Sequence, residues 1–233
     1  MNLKELEREL HASREHAREL ERQISALEHS GGRVDHSIPV PRKGLDYAFA
    51  PHPPVGKLPA AGISFVMRYL AGQGKALTEA EARAISEEHI DLCALWETTG
   101  RRAAEGYNAG VEEAHAAMNA LDKLKPKGEP PIYFAEADFD AHGEGKTNEV
   151  LEFIRGAVHA IGWHRVGLYQ GFYVIQAAAA EHRCKYLMQT LAWSDGKWSR
   201  AAQIRQVAIE LKVLGADCDL DVAVTPDFGQ FRV

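Results

Sequence analysis

Carboxylates are the residues of this sequence whose positions suggest chemistry. Asp46 lies in the run GLDYAF, and Glu97 directly follows IDLCALW. Glu136, Asp138 and Asp140 alternate through PIYFAEADFD, and Asp219 and Asp221 alternate again in DLDVAV. Side chains on an extended strand alternate between faces, so each alternating set can share one face. Several acids converging on one mouth repel each other, and the pKa of at least one rises. A protonated carboxyl beside an ionised one is the pairing that cleaves a glycosidic bond. One acid protonates the leaving oxygen, while the other serves as nucleophile or base or steadies the oxocarbenium-like centre. A single Asp at a strand end more often caps a helix or a turn, so the weight rests on the combination. Asp46, Glu136, Asp138 and Asp219 are the candidate catalytic residues, with Glu136 or Asp138 expected as general acid and Asp46 expected to stay ionised. Arg68, Glu97, Asp140, Tyr169, Gln189, Trp193 and Asp221 are the candidate substrate-binding residues. For Arg68 the competing role is an internal partner that neutralises the acids.

Those positions matter only if the intervening elements bring them together. Gly44–Phe49, Ile63–Leu70, Ile90–Trp96, Pro131–Ala137 and Val166–Gln170 read as buried strands. Tyr186–Leu191, a stretch around Ile204–Ile209, and Asp219–Val224 complete a series of eight. Helical patterns separate them: one opening at Thr78 with Glu81 as capping-box partner, then Ala103–Leu124, Asn148–Ile161 and Tyr173–Glu181. Strands that are apolar on both faces and alternate with helices imply a parallel sheet. Eight such units predict an α/β fold, a compact (β/α)8 TIM-like barrel over residues 44–233. Chemistry in such a barrel sits at the C-terminal ends of the strands.

Ahead of the barrel, Leu3, Leu6, Leu10, Ser13, Ala17, Leu20, Ile24 and Leu27 follow a 3-4 spacing. This predicts a coiled-coil helix over residues 1–30 and a homo-oligomer formed through it. Gly31, Gly32, Pro39 and Pro41 make residues 31–43 a linker or strap.

The 233 residues carry 27 Lys and Arg against 33 Asp and Glu, a formal charge of −6. That balance argues against nucleic acid, which calls for a basic face, and against an anionic membrane surface. The charged start MNLKELEREL has no apolar core of a signal peptide. Synthesis in the cytoplasm is therefore expected, with any action at the cell wall following release or carriage on a particle. The three cysteines have no CxxC spacing, GLDYAFAP contains no phosphate-binding glycine loop, and no cofactor is expected. Asp138, Asp140, His142, Gly143 and Glu149 match an EF-hand spacing. A histidine at the fifth position and a strand rather than a helix before the loop both argue against calcium, so no metal is expected.

The segments GLDYA, VMRYL, IYFAEADFD, VGLYQGFYVI, YLMQTLAWSDGKW, DLDVAV and DFGQF together resemble a glycoside-hydrolase-like domain of bacteria and phages, a TIM-barrel relative of the family-25 lysozymes, the muramidases. The resemblance runs from Gly44 to Val233. It implies that Asp46 matches the first-strand acid, Glu136 and Asp138 the fourth-strand pair, and Asp219 or Asp221 the last-strand acid. The muramidase pair reads Asp-x-Glu where this chain reads Glu136-x-Asp138. The expected function is a lysin-like glycoside hydrolase directed at peptidoglycan or another cell-wall glycan. The alternative is a non-catalytic glycan-binding or structural module of a phage tail or surface assembly, oligomerised by the N-terminal helix.

Overall fold

The computed structural model describes residues 41–233, and the expected coiled coil lies outside the described residues. Eight strands form a closed barrel in sequence order: β1 (Arg42–Tyr47), β2 (Ile63–Tyr69), β3 (Asp91–Trp96), β4 (Ile132–Phe134), β5 (Val166–Gln170), β6 (Tyr186–Gln189), β7 (Ile204–Val213) and β8 (Ala216–Ala223). Among the described residues four α-helices pack outside the barrel: α1 (Glu79–Glu87), α2 (Tyr107–Asp122), α3 (Thr147–Ile161) and α4 (Phe172–Ala180). Thr78 caps α1 by accepting from the Glu81 amide, as its sequence suggested. No helix among the described residues is long and apolar enough to cross a membrane.

Eight identical strand–helix units are not what forms. Strands β1 to β7 run parallel, but β8 is antiparallel to both β7 and β1. Only Leu214 and Gly215 separate β7 from β8, and both have positive φ, 52° and 91°. Two such residues make a hairpin turn. A parallel return would need a crossover of a dozen residues or more. The first connection holds only two short 3-10 turns, Val55–Lys57 and Pro59–Ala61, in place of a helix.

Side-chain parity divides the core in two. Phe65, Met67, Cys93, Leu95, Tyr133 and Met188 fill the barrel interior. Leu45, Tyr47, Val66, Leu92, Ile132 and Leu168 point the other way, into the layer beneath the helices. Phe228 stops the N-terminal end of the barrel: its ring lies 4.9 Å from that of Phe65, and its carbonyl accepts from the Tyr133 hydroxyl at 2.8 Å.

Helices α2 and α3 cross backbone against backbone at two glycines. A Cβ on Gly110 would lie 1.9 Å from the Phe153 carbonyl oxygen, and one on Gly156 would lie 2.0 Å from that of Tyr107. Alanine is the better helix former by about 1 kcal/mol. Parting two packed helices costs about 1–3 kcal/mol or more, so the clash should win. Gly110→Ala and Gly156→Ala are each expected to lower the urea midpoint of unfolding. A raised midpoint would show that the helices can separate without loss.

Candidate active site

The reversed strand decides which acids meet. Its antiparallel register sets Asp219 opposite Asp46 and Asp221 opposite Gly44, one layer deeper. Asp46, at 5% exposure, and Asp219 line an open cleft of about 450 Å³ at the C-terminal end of the barrel, together with Phe49, Tyr69, Glu210 and Asp217. Gln206 of β7 joins the two acids. Its Nε2 donates to Asp46 Oδ2 at 2.9 Å and to Asp219 Oδ2 at 3.0 Å. Its Oε1 accepts from the Tyr169 hydroxyl at 3.1 Å and the Thr190 hydroxyl at 2.7 Å. Glu210, a residue with φ 56°, falls within a register shift of the β7–β8 ladder, between Ala208 and Leu211, and its amide donates to Asp219 Oδ1 at 2.8 Å.

Beneath this pair Asp221 is fully buried, and neither of its oxygens meets a donor. The group within hydrogen-bonding reach is the Asp46 carboxyl. Two carboxylates in contact need a proton between them. Burial first, then the charges of Asp46 and Asp219, hold the Asp221 carboxyl well above the usual carboxylate range, so Asp221 carries that proton. Burial and the Asp219 charge raise Asp46 to about 7. Burial also raises Asp219.

Across Tyr69 lies a second acidic rim. Tyr69 lines the cleft with Asp46, and burial, then the charges of Asp46 and Glu97, push its hydroxyl up. Glu97 pairs with Lys75 at 2.8 Å, and the Lys75 ammonium lies 4.4 Å from the centre of the Tyr69 ring. Asp138 is exposed beside Glu97, the two packed around Gly100. Gly100 has φ 72°, and a Cβ there would lie 3.0 Å from the Asp138 Cβ and 3.2 Å from Glu97 Oε1.

Other expected members lie elsewhere. Arg68 is on the outer face of β2, with 0% exposure; its guanidinium pairs with Glu81 of α1 at 3.0 Å and donates to the Tyr47 carbonyl. It braces the strand end behind Asp46 instead of facing substrate. Glu136 follows the end of β4, where alternation has stopped, and turns away from the cleft. It accepts from the amide and hydroxyl of Thr98, while its other oxygen is buried without a partner. Burial raises its pKa. Gln189 also points outward and ties the following loop by bonds with Ser194, Lys197 and Ser199. Asp140 Oδ1 accepts from the Gly143 amide at 2.8 Å and shapes a turn. Trp193 is half-buried in the loop after β6, outside the cleft lining. Among the described residues no three His, Cys, Asp or Glu are grouped to hold a metal ion.

The buried acids carry a pH signature. The unfolded chain releases these protons from about pH 4 upward, whereas the fold keeps that of Asp46 to about pH 7 and holds that of Asp221 well above the usual carboxylate range. Over that range the folded state binds more protons, so the stability these groups contribute is complete at low pH and falls as pH rises. Asp221→Asn keeps a donor facing Asp46 and cannot ionise. Urea unfolding at about pH 5 and pH 8 should show the variant gaining on the parent at the higher pH. A constant difference would show that Asp221 holds no such proton.

Residues 57–225 match the family described as "Rv2525c-like, glycoside hydrolase-like domain". The Tat-secreted protein Rv2525c of Mycobacterium tuberculosis, solved in complex with L-tartrate, is 26% identical, with a TM-score of 0.74 over 81% of this chain and 98% of that one. The catalytic domain of endolysin ply40, from bacteriophage P40 of Listeria monocytogenes, shares the fold at 13% identity and a TM-score of 0.53, over 82% of this chain and 97% of that one. So does the spore cortex lytic enzyme SleM of Clostridium perfringens, at 12% identity and 0.53, over 81% of this chain and 69% of that one. No curated protein is significantly similar in sequence. The endolysin and the spore cortex lytic enzyme share the barrel fold alone, and with the family match spanning most of the barrel, the chain belongs to the Rv2525c-like, glycoside hydrolase-like domain family.

Proposed function

We propose that the barrel mouth takes up a strand of cell-wall glycan and hydrolyses its glycosidic bond, with Asp46 giving the proton to the leaving oxygen. One observation carries this reading. Asp46 sits on the floor of an open cleft and titrates near 7, where an acid is both protonated and able to release its proton at neutral pH. The Gln206 amide occupies the space between Asp46 and Asp219, so the bond to be broken does not pass between those two. It lies over Tyr69, with Asp46 on one side and the Glu97–Asp138 rim on the other. The side chain of Glu97 or Asp138 steadies the oxocarbenium-like centre or activates a water. The work takes place at the wall, outside the membrane, in keeping with a family relative that is Tat-secreted.

The Gln206 bridge also supports a second reading. Two carboxylates locked side by side on one wall are fixed acceptors for sugar hydroxyls, which a non-catalytic glycan-binding module would use equally well. Turbidity and reducing-end release from purified walls separate the two. Cleavage by the parent should fall as pH rises above about 7, and Asp46→Asn should lose roughly 10²–10⁴-fold in rate without loss of fold. Glu136→Gln, whose acceptor oxygen for Thr98 survives, should retain most of the rate. If Glu136→Gln is the inactive variant and Asp46→Asn is not, the acid belongs to the segment after β4. If the parent binds walls and releases no reducing ends, the module reading takes over.

A further inference from the structure

The segment that leaves β1 carries Phe49 onto the rim of the cleft, where its ring stands 62% exposed. Among the described residues Phe49, Ala50 and Pro51 make no hydrogen bond. The ring of His52 fastens this segment, and it is engaged at both nitrogens. Its Nδ1 lies 3.2 Å from Oε1 of Glu81, in the first turn of α1, and its Nε2 lies 3.3 Å from the Ala48 carbonyl oxygen. Both of these oxygens are acceptors. A neutral imidazole has one N–H and one lone pair, whereas an imidazolium donates from both nitrogens. The double contact is therefore complete only when the ring carries two protons. With one proton, a lone pair is set against either the carboxylate or the carbonyl. The other charged and titratable groups packed here turn to Glu81. Tyr47 of β1, whose ring centre lies 5.2 Å from that of His52, gives its hydroxyl to Glu81 Oε1, and Arg68 of β2 gives Nε and Nη2 to the same carboxylate.

We infer that His52 is a positioning residue of the mouth, a proton-dependent clasp that holds Phe49 at the cleft as a stacking platform for a sugar. The inference rests on the glycan reading above and adds how that site is regulated. An exposed aromatic ring offers its face to the C–H side of a sugar. A ring on an untied segment has to be ordered when the ligand docks, and that ordering weakens binding. As pH rises and the second proton leaves, the clasp passes from two bonds to one, Phe49 gains freedom, and glycan affinity falls. One hydrogen bond corresponds to about a two- to tenfold change in affinity. The clasp acts on binding and Asp46 on proton transfer, so the two pH responses separate into KM and kcat.

The first test needs neither ligand nor substitution. Histidines change charge between about pH 5 and pH 8, and NMR of the isotope-labelled full chain at those two values reads the mobility of the segment. The heteronuclear NOE of the Phe49 and Ala50 amides should be high at the lower pH and drop at the higher. His52→Phe keeps a ring against Tyr47 and donates to neither acceptor, so its NOE should be low at both. Binding is read by calorimetric titration of the slow-cleaving Asp46→Asn chain with soluble peptidoglycan strands. Affinity should fall about two- to tenfold from the lower pH to the higher, and adding His52→Phe should hold it at the weaker value throughout. Phe49→Ala should bind as weakly, with no further loss when His52→Phe is added. An NOE that does not change with pH in the parent, or a His52→Phe chain that keeps the parent's pH response in binding, overturns the inference and leaves the glycan reading standing. Strands that bind at neither pH overturn the glycan reading and the inference with it.

Discussion

The side-chain amide of Gln206 has four hydrogen-bonding valences, and all four are used inside the barrel. Its nitrogen faces two carboxyl groups and its oxygen faces two hydroxyls. The opposite orientation would press an acceptor against two acids and strand both hydroxyls. Where the acceptor is ionised such a bond is the stronger kind, worth about 1.5–3 kcal/mol. These bonds form only when β7 presents Gln206 inward at the level where β1 presents Asp46 and β8 presents Asp219. The antiparallel last strand is therefore bound up with the chemistry of the mouth. It brings in an acid from its beginning, whereas every parallel strand offers acids from its end.

Much of this was legible in the sequence, and the failures have physical causes. The apolar runs of β1, β2, β3 and β5 announced themselves because a barrel strand is buried on both faces. The same property hid parity. In ISFVMRYL nothing distinguishes the face of Phe65, Met67 and Tyr69 from that of Val66 and Arg68, so Arg68 was expected in the mouth when it belongs beneath α1. Glu136 misled for a related reason, since β4 ends at Phe134 and alternation says nothing beyond a strand's last residue. Gln206 was missed altogether. Its signal lay in the step of two from Ile204, which fills the interior, but the strand itself was faint. Leu214–Gly215 is too short for any parallel return, and that length alone would have revealed the reversed strand.

Asp46 is held from both faces of its strand. From inside, Gln206 and Asp221 fix the carboxyl. From outside, Arg68 grips the carbonyl of Tyr47, the next residue, while the Tyr47 hydroxyl donates to the same Glu81 that binds Arg68. A guanidinium buried with its carboxylate partner contributes little net stability. It does leave the strand end with one position in which every polar group is paired. Such rigidity lets a protonated acid be stored in a wet cleft without the surrounding loop relaxing to solvate it.

The plugging of the barrel floor by Phe228 has a consequence for how the molecule is made. β1 is built early, yet its neighbour β8 and the ring that stops the barrel's lower opening both lie far along the chain. Until they emerge from the ribosome, β1 has one bare edge and the interior is open to water at the bottom. Contacts of such long sequence separation form slowly, and an uncovered parallel edge is prone to pair with the wrong strand. Closure is thus a late, single event that creates the acid cluster and seals the core together, so a nascent chain acquires its mouth only when it acquires its floor.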